Sequence, residues 1–145
     1  MFQDIIRLAS EYHIAIIDPK TIDELNIYRA TQVTMQKLSD SFDHADGVLT
    51  DAMPLPEQNM DVISLVKGDQ KSVSIAAASI LAKVTRDCIM TAYDIQFPQY
   101  GFAKHKGYPT KAHIEAMHTY GVIDGLYRKS YRPVSEMDQM QLALD

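Results

Sequence analysis

The stretch DGVLTDAMPLPEQNMDVISLVKGDQKSVSIAAASILAKVTRDCIM, residues 46–90, decides how the chain is read. Residues 47–49 form a short apolar run that leads through Thr50 to Asp51, which predicts a strand with an acid at its end. Met53 to Pro56 (MPLP) breaks the chain, and residues 61–66 resume as a second short apolar segment before Lys67-Gly68-Asp69. Residues 72–93 are the strongest helical stretch, with Ala76, Ala77, Ala78, Leu81 and Ala82 and no Gly or Pro before Pro98. Its small residues allow close packing against a sheet or another helix. In α/β sheets a strand end is a common place to present a functional acid.

Reading outward, residues 2–12 (FQDIIRLASEY) space Ile5, Ile6, Leu8 and Ala9 as a helix, and residues 13–17 (HIAII) switch to a strand-like run that ends at Asp18-Pro19. Thr21, followed by Asp23 and Glu24, is the expected N-cap of a further helix. Ile27, Ala30, Val33, Thr34, Leu38 and Phe42 keep a spacing of three or four, which predicts an amphipathic helix over 27–42. After Pro98, residues 99–110 (QYGFAKHKGYPT) mix Gly, aromatic and basic residues without periodicity and read as a loop. Thr110 caps a helix over 111–120 that Gly121 stops. The last residues are acidic and Met-rich and read as a loose tail.

The 145 residues, 46% apolar and 23% charged, are enough for one domain with a core of its own. The lone Cys88 excludes a disulfide scaffold or a CxxC pair. No apolar run approaches the ~20 residues of a membrane span, so a soluble cytoplasmic protein is expected. The net charge of −5 is unevenly spread: residues 1–61 carry 4 basic and 11 acidic groups, residues 62–132 carry 10 and 5, and residues 133–145 carry three acids and no base. A basic block within an acidic chain fits either a solvated face or a polyanionic partner, whose counterions Lys and Arg would release.

Two acids stand out. Asp51 follows an apolar strand, and Asp87 sits in an otherwise apolar helix, where an acid is costly unless paired or bound to a cation. A turn acid at 51, and an ion pair of Asp87 with Arg86 or Lys83, are the structural alternatives. The glycine turn Lys67-Gly68-Asp69, followed by Lys71, Ser72 and Ser74 at a helix start, could seat an oxyanion, although no GxxxxGK[ST] pattern is present. Tyr100, Phe102, Lys104, His105, Lys106 and Tyr108, and again Tyr127, Arg128, Lys129, Tyr131 and Arg132, interleave aromatics with cations. Such segments suit stacking on sugars or bases beside phosphate contacts, or else anchor loops in the core. His113 and His118 do not share a helix face, which argues against zinc, and Cys88 inside a helix reads as a buried small hydrophobe.

Three segments, KGDQKSVSIAAASILAKVTRDCIM (67–90), FPQYGFAKHKGYPTKAH (97–113) and SYRPV (130–134), resemble ribonuclease HII. IDELNIYRATQVTM (22–35) resembles the family's segment before its third metal-binding acid, and VLTDAMPLP (48–56) the strand ending in that acid. The resemblance covers essentially the whole chain. It implies an endonuclease, acting in DNA replication and repair, that hydrolyses the RNA strand of RNA–DNA hybrids and cuts at ribonucleotides embedded in duplex DNA. The expected cofactor is Mn2+ or Mg2+, two ions held by four carboxylates. Asp51 takes the third acid's place and Asp87 the fourth's, as catalytic metal ligands, and Tyr108 matches the tyrosine that stacks on the sugar at the RNA–DNA junction. Lys67, Ser74, Lys83 and Arg86 fall on basic and hydroxyl positions near the scissile strand. Two cations of this kind activate a water and stabilise the leaving 3′-oxygen, and the 2′-hydroxyl is what separates the two sugars.

The family's DExGRG element, which supplies its first two acids, has no counterpart in this sequence. Two carboxylates offset half the charge of two divalent ions, so a weak or inactive chain is expected on its own, with a non-catalytic module binding RNA–DNA hybrids as the alternative. Pro109 where many relatives carry Gly, and YRKSY where many carry HRRSF, read as family variation. The implied fold is α/β, a partial ribonuclease H-like fold. A short, mostly parallel sheet (strands near 13–17, 47–51 and 61–66) is flanked by helices and followed by a C-terminal helical and loop segment. Residues 1–134 would form the truncated catalytic domain and 135–145 a flexible acidic tail. A sheet lacking its first hairpin would show an open edge and an uncovered apolar face, favouring aggregation. A monomer without membrane contact is expected.

Overall fold

The computed structural model describes residues 1–137. It is an α/β structure with a two-stranded parallel sheet and several helices. Its elements are α1 (Phe2–Leu8), α2 (Pro19–Leu25), α3 (Ile27–Ser39), β1 (Gly47–Asp51), β2 (Asp61–Leu65), α4 (Val73–Gln96), the short α5 (Phe102–His105) and α6 (Lys111–Tyr120). They fall into two compact units, Met1–Ile16 with Ile27–Val84, and Ile17–Asn26 with the described residues from Thr85 on. Helix α4 gives its first half to one unit and its second half to the other. No helix among the described residues is long and apolar enough to cross a membrane.

In the first unit β1 and β2 pair in parallel, Gly47 opposite Asp61 through Asp51 opposite Leu65. The connection between them is pinned by polar contacts. The hydroxyls of Thr50 and Ser64, partners in the register, lie 3.0 Å apart and both reach the Met53 carbonyl, at 2.5 and 2.9 Å. From α3, the Gln32 amide donates to the Pro54 carbonyl at 2.8 Å and its oxygen accepts from Arg29 at 2.7 Å, which explains a buried glutamine in a mostly apolar helix face. Leu55, Ala30, Ile75 and Leu81 are the buried apolar residues of this unit. Leu49 and Ile63, opposite each other in the register, are 43% and 56% exposed, an apolar sheet face uncovered among the described residues.

The second unit is built on aromatics. Phe102, 1% exposed, packs flat against Tyr100 with ring centres 5.5 Å apart, and Ala116, Met117 and Val134 close around them. The Tyr100 hydroxyl donates to the Gly121 carbonyl at 2.8 Å. Thr110 caps α6 by accepting from the His113 amide at 3.3 Å, as its sequence predicts.

Several expectations change. Residues 13–17 are not a strand: neither β1 nor β2 takes them as a partner, Ile14 and Ile16 are exposed, and His13 instead bonds Glu11 at 2.5 Å and packs edge-on against Phe42. The cap of α2 is Asp18 rather than Thr21, because Pro19 at the first helical position fixes the entry. Asp18 accepts from the Thr21 amide at 2.8 Å and from its hydroxyl at 3.0 Å, which lowers its carboxyl below the ordinary range. The 99–110 loop contains a 3-10 turn, Pro98–Tyr100, and the helical turn α5, both formed because burying Tyr100 and Phe102 outweighs weak local preference. Cys88 is exposed. Residues 134–137 form a helical turn with Met137 against the aromatic core, and the rest of the expected acidic tail, 138–145, lies outside the described residues.

Candidate active site

In the first unit the geometry converges on Asp51. It ends β1, and the Gly68 amide donates to its Oδ1 at 2.9 Å. The two strand ends carry unusual backbone: Ala52, just after Asp51, has φ 58°, and Lys67, just beyond β2, has φ 55° and ψ 48°. Left-handed conformations at non-glycine residues cost energy and persist where surrounding contacts over-determine them. Here the Ala52 amide donates to the Leu65 carbonyl at 3.1 Å, and Lys67 begins the 3-10 turn Gly68–Gln70. Gly68 itself is buried. A Cβ on it would lie 2.7 Å from Ile75 Cδ1 and 3.3 Å from both the Asp51 Cα and the Thr50 carbonyl, so only glycine lets the amide come this close to the carboxylate. Lys67 is exposed beside this turn, Ser74 is exposed in the first turn of α4, and Lys83 is exposed further along the same helix. The Lys67-Gly68-Asp69 turn, which the sequence offers as a place for an oxyanion, also positions the acid through its glycine.

In the second unit Asp87 lies half-buried in α4, as its sequence context suggests. Its carbonyl accepts from Lys106 Nζ at 3.3 Å, and the same ammonium donates to the Thr91 hydroxyl at 2.9 Å. One residue further on, Gly107 has φ 80°, and a Cβ there would lie 3.3 Å from Met90 Cε and 3.6 Å from Arg86 Nη2. That close approach brings the Tyr108 ring over the Arg86 guanidinium, 5.0 Å from its centre, with the tyrosine 59% exposed.

The backbone beneath Tyr108 is held by two histidines stacked 4.0 Å apart. His105 Nδ1 accepts from the Gly107 amide at 3.1 Å, which leaves its Nε2–H to donate to the Tyr100 carbonyl at 2.8 Å. His113 Nδ1–H donates to the Tyr108 carbonyl at 2.9 Å and its Nε2 accepts the Tyr127 hydroxyl at 2.8 Å. Burial, against the Tyr108 hydrogen bond and aided by His105, lowers the His113 pKa, and burial first and Tyr100 second push the Tyr127 hydroxyl up, so the pair is neutral. Both ring nitrogens of each histidine are thus taken up by hydrogen bonds within the unit. The aromatics divide: Tyr100, Phe102 and Tyr127 serve the core, while Tyr108 and Tyr131 are exposed.

A family model described as ribonuclease HII matches residues 3–133. The chain belongs to the ribonuclease HII family. Curated ribonuclease HII proteins of Francisella tularensis subsp. mediasiatica (strain FSC147) and subsp. tularensis (strain WY96-3418) are each 50% identical over 135 residues, and that of subsp. novicida (strain U112) is 49% identical. Each alignment covers 92% of this chain and 72% of the relative.

Ribonuclease HII membership raises the question of a divalent metal. Among the described residues no group of three or more His, Cys, Asp or Glu side chains could hold an ion. Mg2+ wants about six oxygen ligands in near-octahedral order. The described donors therefore do not fit a two-ion centre by themselves. Within the first unit they provide one well-positioned carboxylate, Asp51.

Proposed function

We propose that the chain is a ribonuclease HII catalytic-domain segment, residues 1–134, that binds RNA–DNA hybrids and duplex DNA containing ribonucleotides. In this reading Asp51 and Asp87 are two of the carboxylates of a Mn2+- or Mg2+-dependent endonuclease. The observation that carries the reading is Asp51 at the end of β1, with one carboxylate oxygen fixed by the Gly68 amide in a sequence half identical to ribonuclease HII proteins. A preorganised carboxylate at a strand end is what metal-assisted phosphodiester hydrolysis asks of its ligands. Lys67, Ser74, Lys83 and Arg86 contact the strand backbone, and Tyr108, exposed and braced on Arg86, stacks on the sugar at the junction. The protein works as a cytoplasmic monomer.

The test is incubation of the purified chain with a duplex carrying one ribonucleotide, with Mn2+ present. Cleavage that Asp51→Asn abolishes supports the enzyme reading. Salt-sensitive binding with no cleavage supports a hybrid-binding module instead, an outcome the lack of a three-ligand cluster among the described residues keeps in view.

A further inference from the structure

The second unit contains a cavity of about 290 Å³ whose wall includes Arg86, Tyr108, Arg128, Tyr131 and Arg132 over a floor of Phe102, His113 and Met117. Among the described residues no acidic side chain lines it, and the neutral His113–Tyr127 pair adds no charge from below. The rim is therefore cationic above an apolar base, with space for one nucleotide-sized group.

Two of its three guanidiniums sit over tyrosine rings. Arg86 lies over Tyr108 at 5.0 Å, and Arg128 over Tyr131 at 4.4 Å, with Tyr131 52% exposed. A guanidinium over a ring is held by the cation–π contact, while its N–H donors suit a phosphate's paired oxygens. The third, Arg132, holds Glu136 through Nε at 3.0 Å, and Lys129 holds Asp124 at 3.3 Å.

The segment bearing Arg128 and Tyr131 is fastened from far away in sequence. Asp23, in α2, accepts from the Lys129 amide at 2.6 Å, the Ser130 amide at 3.1 Å and the Ser130 hydroxyl at 2.5 Å. Desolvation raises the Asp23 carboxyl, but these bonds and the Arg128 charge outweigh it and hold the group below the ordinary carboxylate range. Charge-assisted bonds to an ionised carboxylate are the strong kind. A loop of cationic and aromatic residues is thus held in one arrangement before any ligand arrives, which reduces the ordering cost of binding.

We propose that this cavity is a second strand subsite, in which Arg128 takes a backbone phosphate and Tyr131 packs on the adjoining sugar, with Asp23 as the positioning residue that holds both. The inference rests on the nucleic-acid reading above and adds to it a contact separate from Tyr108. The ligand is a phosphodiester of the bound duplex.

The chain has no Trp, so Tyr131→Trp introduces a single local reporter that keeps the stacking surface. The experiment titrates labelled RNA–DNA hybrid into the full chain, reading duplex anisotropy for overall binding and the fluorescence of the introduced indole for occupancy of this subsite. Wild type, Arg128→Ala and Asp23→Ala are compared from low to moderate salt by anisotropy. Arg128→Ala should weaken binding about tenfold, the scale of one charged hydrogen bond. It should also flatten log K against log salt by about 0.9, the loss of one phosphate contact. Asp23→Ala should reproduce that flattening although the position loses a negative charge, and Asp23→Asn, which keeps an acceptor, should recover part of it. A merely structural Asp23 would leave the slope unchanged. Far-UV circular dichroism and Arg128→Lys, which keeps the charge and so the slope, control for folding.

Binding with a silent indole and unchanged slopes overturns the subsite and leaves the proposed function standing. No binding of hybrid at all overturns both. An indole response to inorganic phosphate equal to that with hybrid overturns the assignment to a nucleic-acid strand.

Discussion

Replacing Gly68 by alanine tests whether the close approach of the Lys67-Gly68 turn to β1 is what holds Asp51. The added Cβ would sit 2.7 Å from Ile75 Cδ1, closer than such carbons approach, and 3.3 Å from the Thr50 carbonyl and the Asp51 Cα. Ile75 is buried at 7% exposure, so its methyl cannot simply swing into solvent. Overpacking of this kind costs roughly 1–3 kcal/mol. The reduced freedom of the unfolded chain returns about 0.4–1 kcal/mol. The net expectation is a loss of about 1–2 kcal/mol, read as a lower urea midpoint at unchanged m. Ile75→Val removes the Cδ1 that causes the worst contact and alone costs about 0.5–1.5 kcal/mol. Combined with Gly68→Ala it should restore roughly 1 kcal/mol relative to additivity, because the two atoms compete for one space. The backbone contacts at 3.3 Å remain in the double variant, so Asp51 stays displaced even though the coupling offsets part of the summed stability loss, and any cleavage that depends on Asp51 stays impaired. A Gly68→Ala chain as stable as wild type, or strictly additive losses in the cycle, would refute this account of the site.

Three further outcomes follow from the second unit. His113 is buried neutral with a lowered pKa, so below its unfolded value of about 6.5 the unfolded chain binds a proton that the folded one refuses. Stability should therefore fall as pH drops from 6.5 toward the folded pKa, by at most about 1.4 kcal/mol per pH unit, and urea midpoints of His113→Gln should show a flatter profile over that window. Tyr127→Phe removes the hydroxyl that His113 Nε2 accepts, leaving a part-buried acceptor unsatisfied, and should cost about 1–3 kcal/mol in the same assay. Gly107→Ala, with φ 80° and a Cβ crowding Met90 and Arg86, should disturb the Tyr108 stack and weaken hybrid binding by anisotropy while leaving the Asp51 turn unaffected.

Local patterning carried part of this structure and not the rest, and the division has a physical basis. The strands at 47–51 and 61–65, the Ala-rich helix and the Thr110 cap are short-range features, set by periodicity and by hydrogen bonds within a few residues. The strand expected at 13–17 failed because a strand exists only with a partner, and HIAII contains no information about whether one is present. The helical turn α5 was hidden for the converse reason: FAKH has no strong local preference, and burial of Phe102 under Tyr100 decides its conformation. At the candidate site, the resemblance singled out Asp51 and Tyr108, whereas the packing of Gly68 against Asp51 has no local signature. Its buried role depends on Ile75 and Thr50, seven residues ahead and eighteen behind. Asp23 resembled a helix first-turn acid, and its bonds to residues 129 and 130 reach across more than a hundred positions.

In the proposed function Asp51 and Tyr108 meet the substrate, and each is set by a neighbour with no reactive chemistry of its own. The Gly68 amide fixes the carboxylate, and the Gly107 bend with the His105–His113 stack fixes the tyrosine. Glycines at points of close approach and buried, hydrogen-bonded histidines leave little mark on composition or charge. They nonetheless set geometry to within a few tenths of an ångström, because a Cβ at either glycine meets atoms at 3.3 Å or less. Changes at Gly68 and Gly107 should therefore affect cleavage and binding separately, the first through Asp51 and the second through Tyr108, while a protein whose function rested on charge alone would respond to neither.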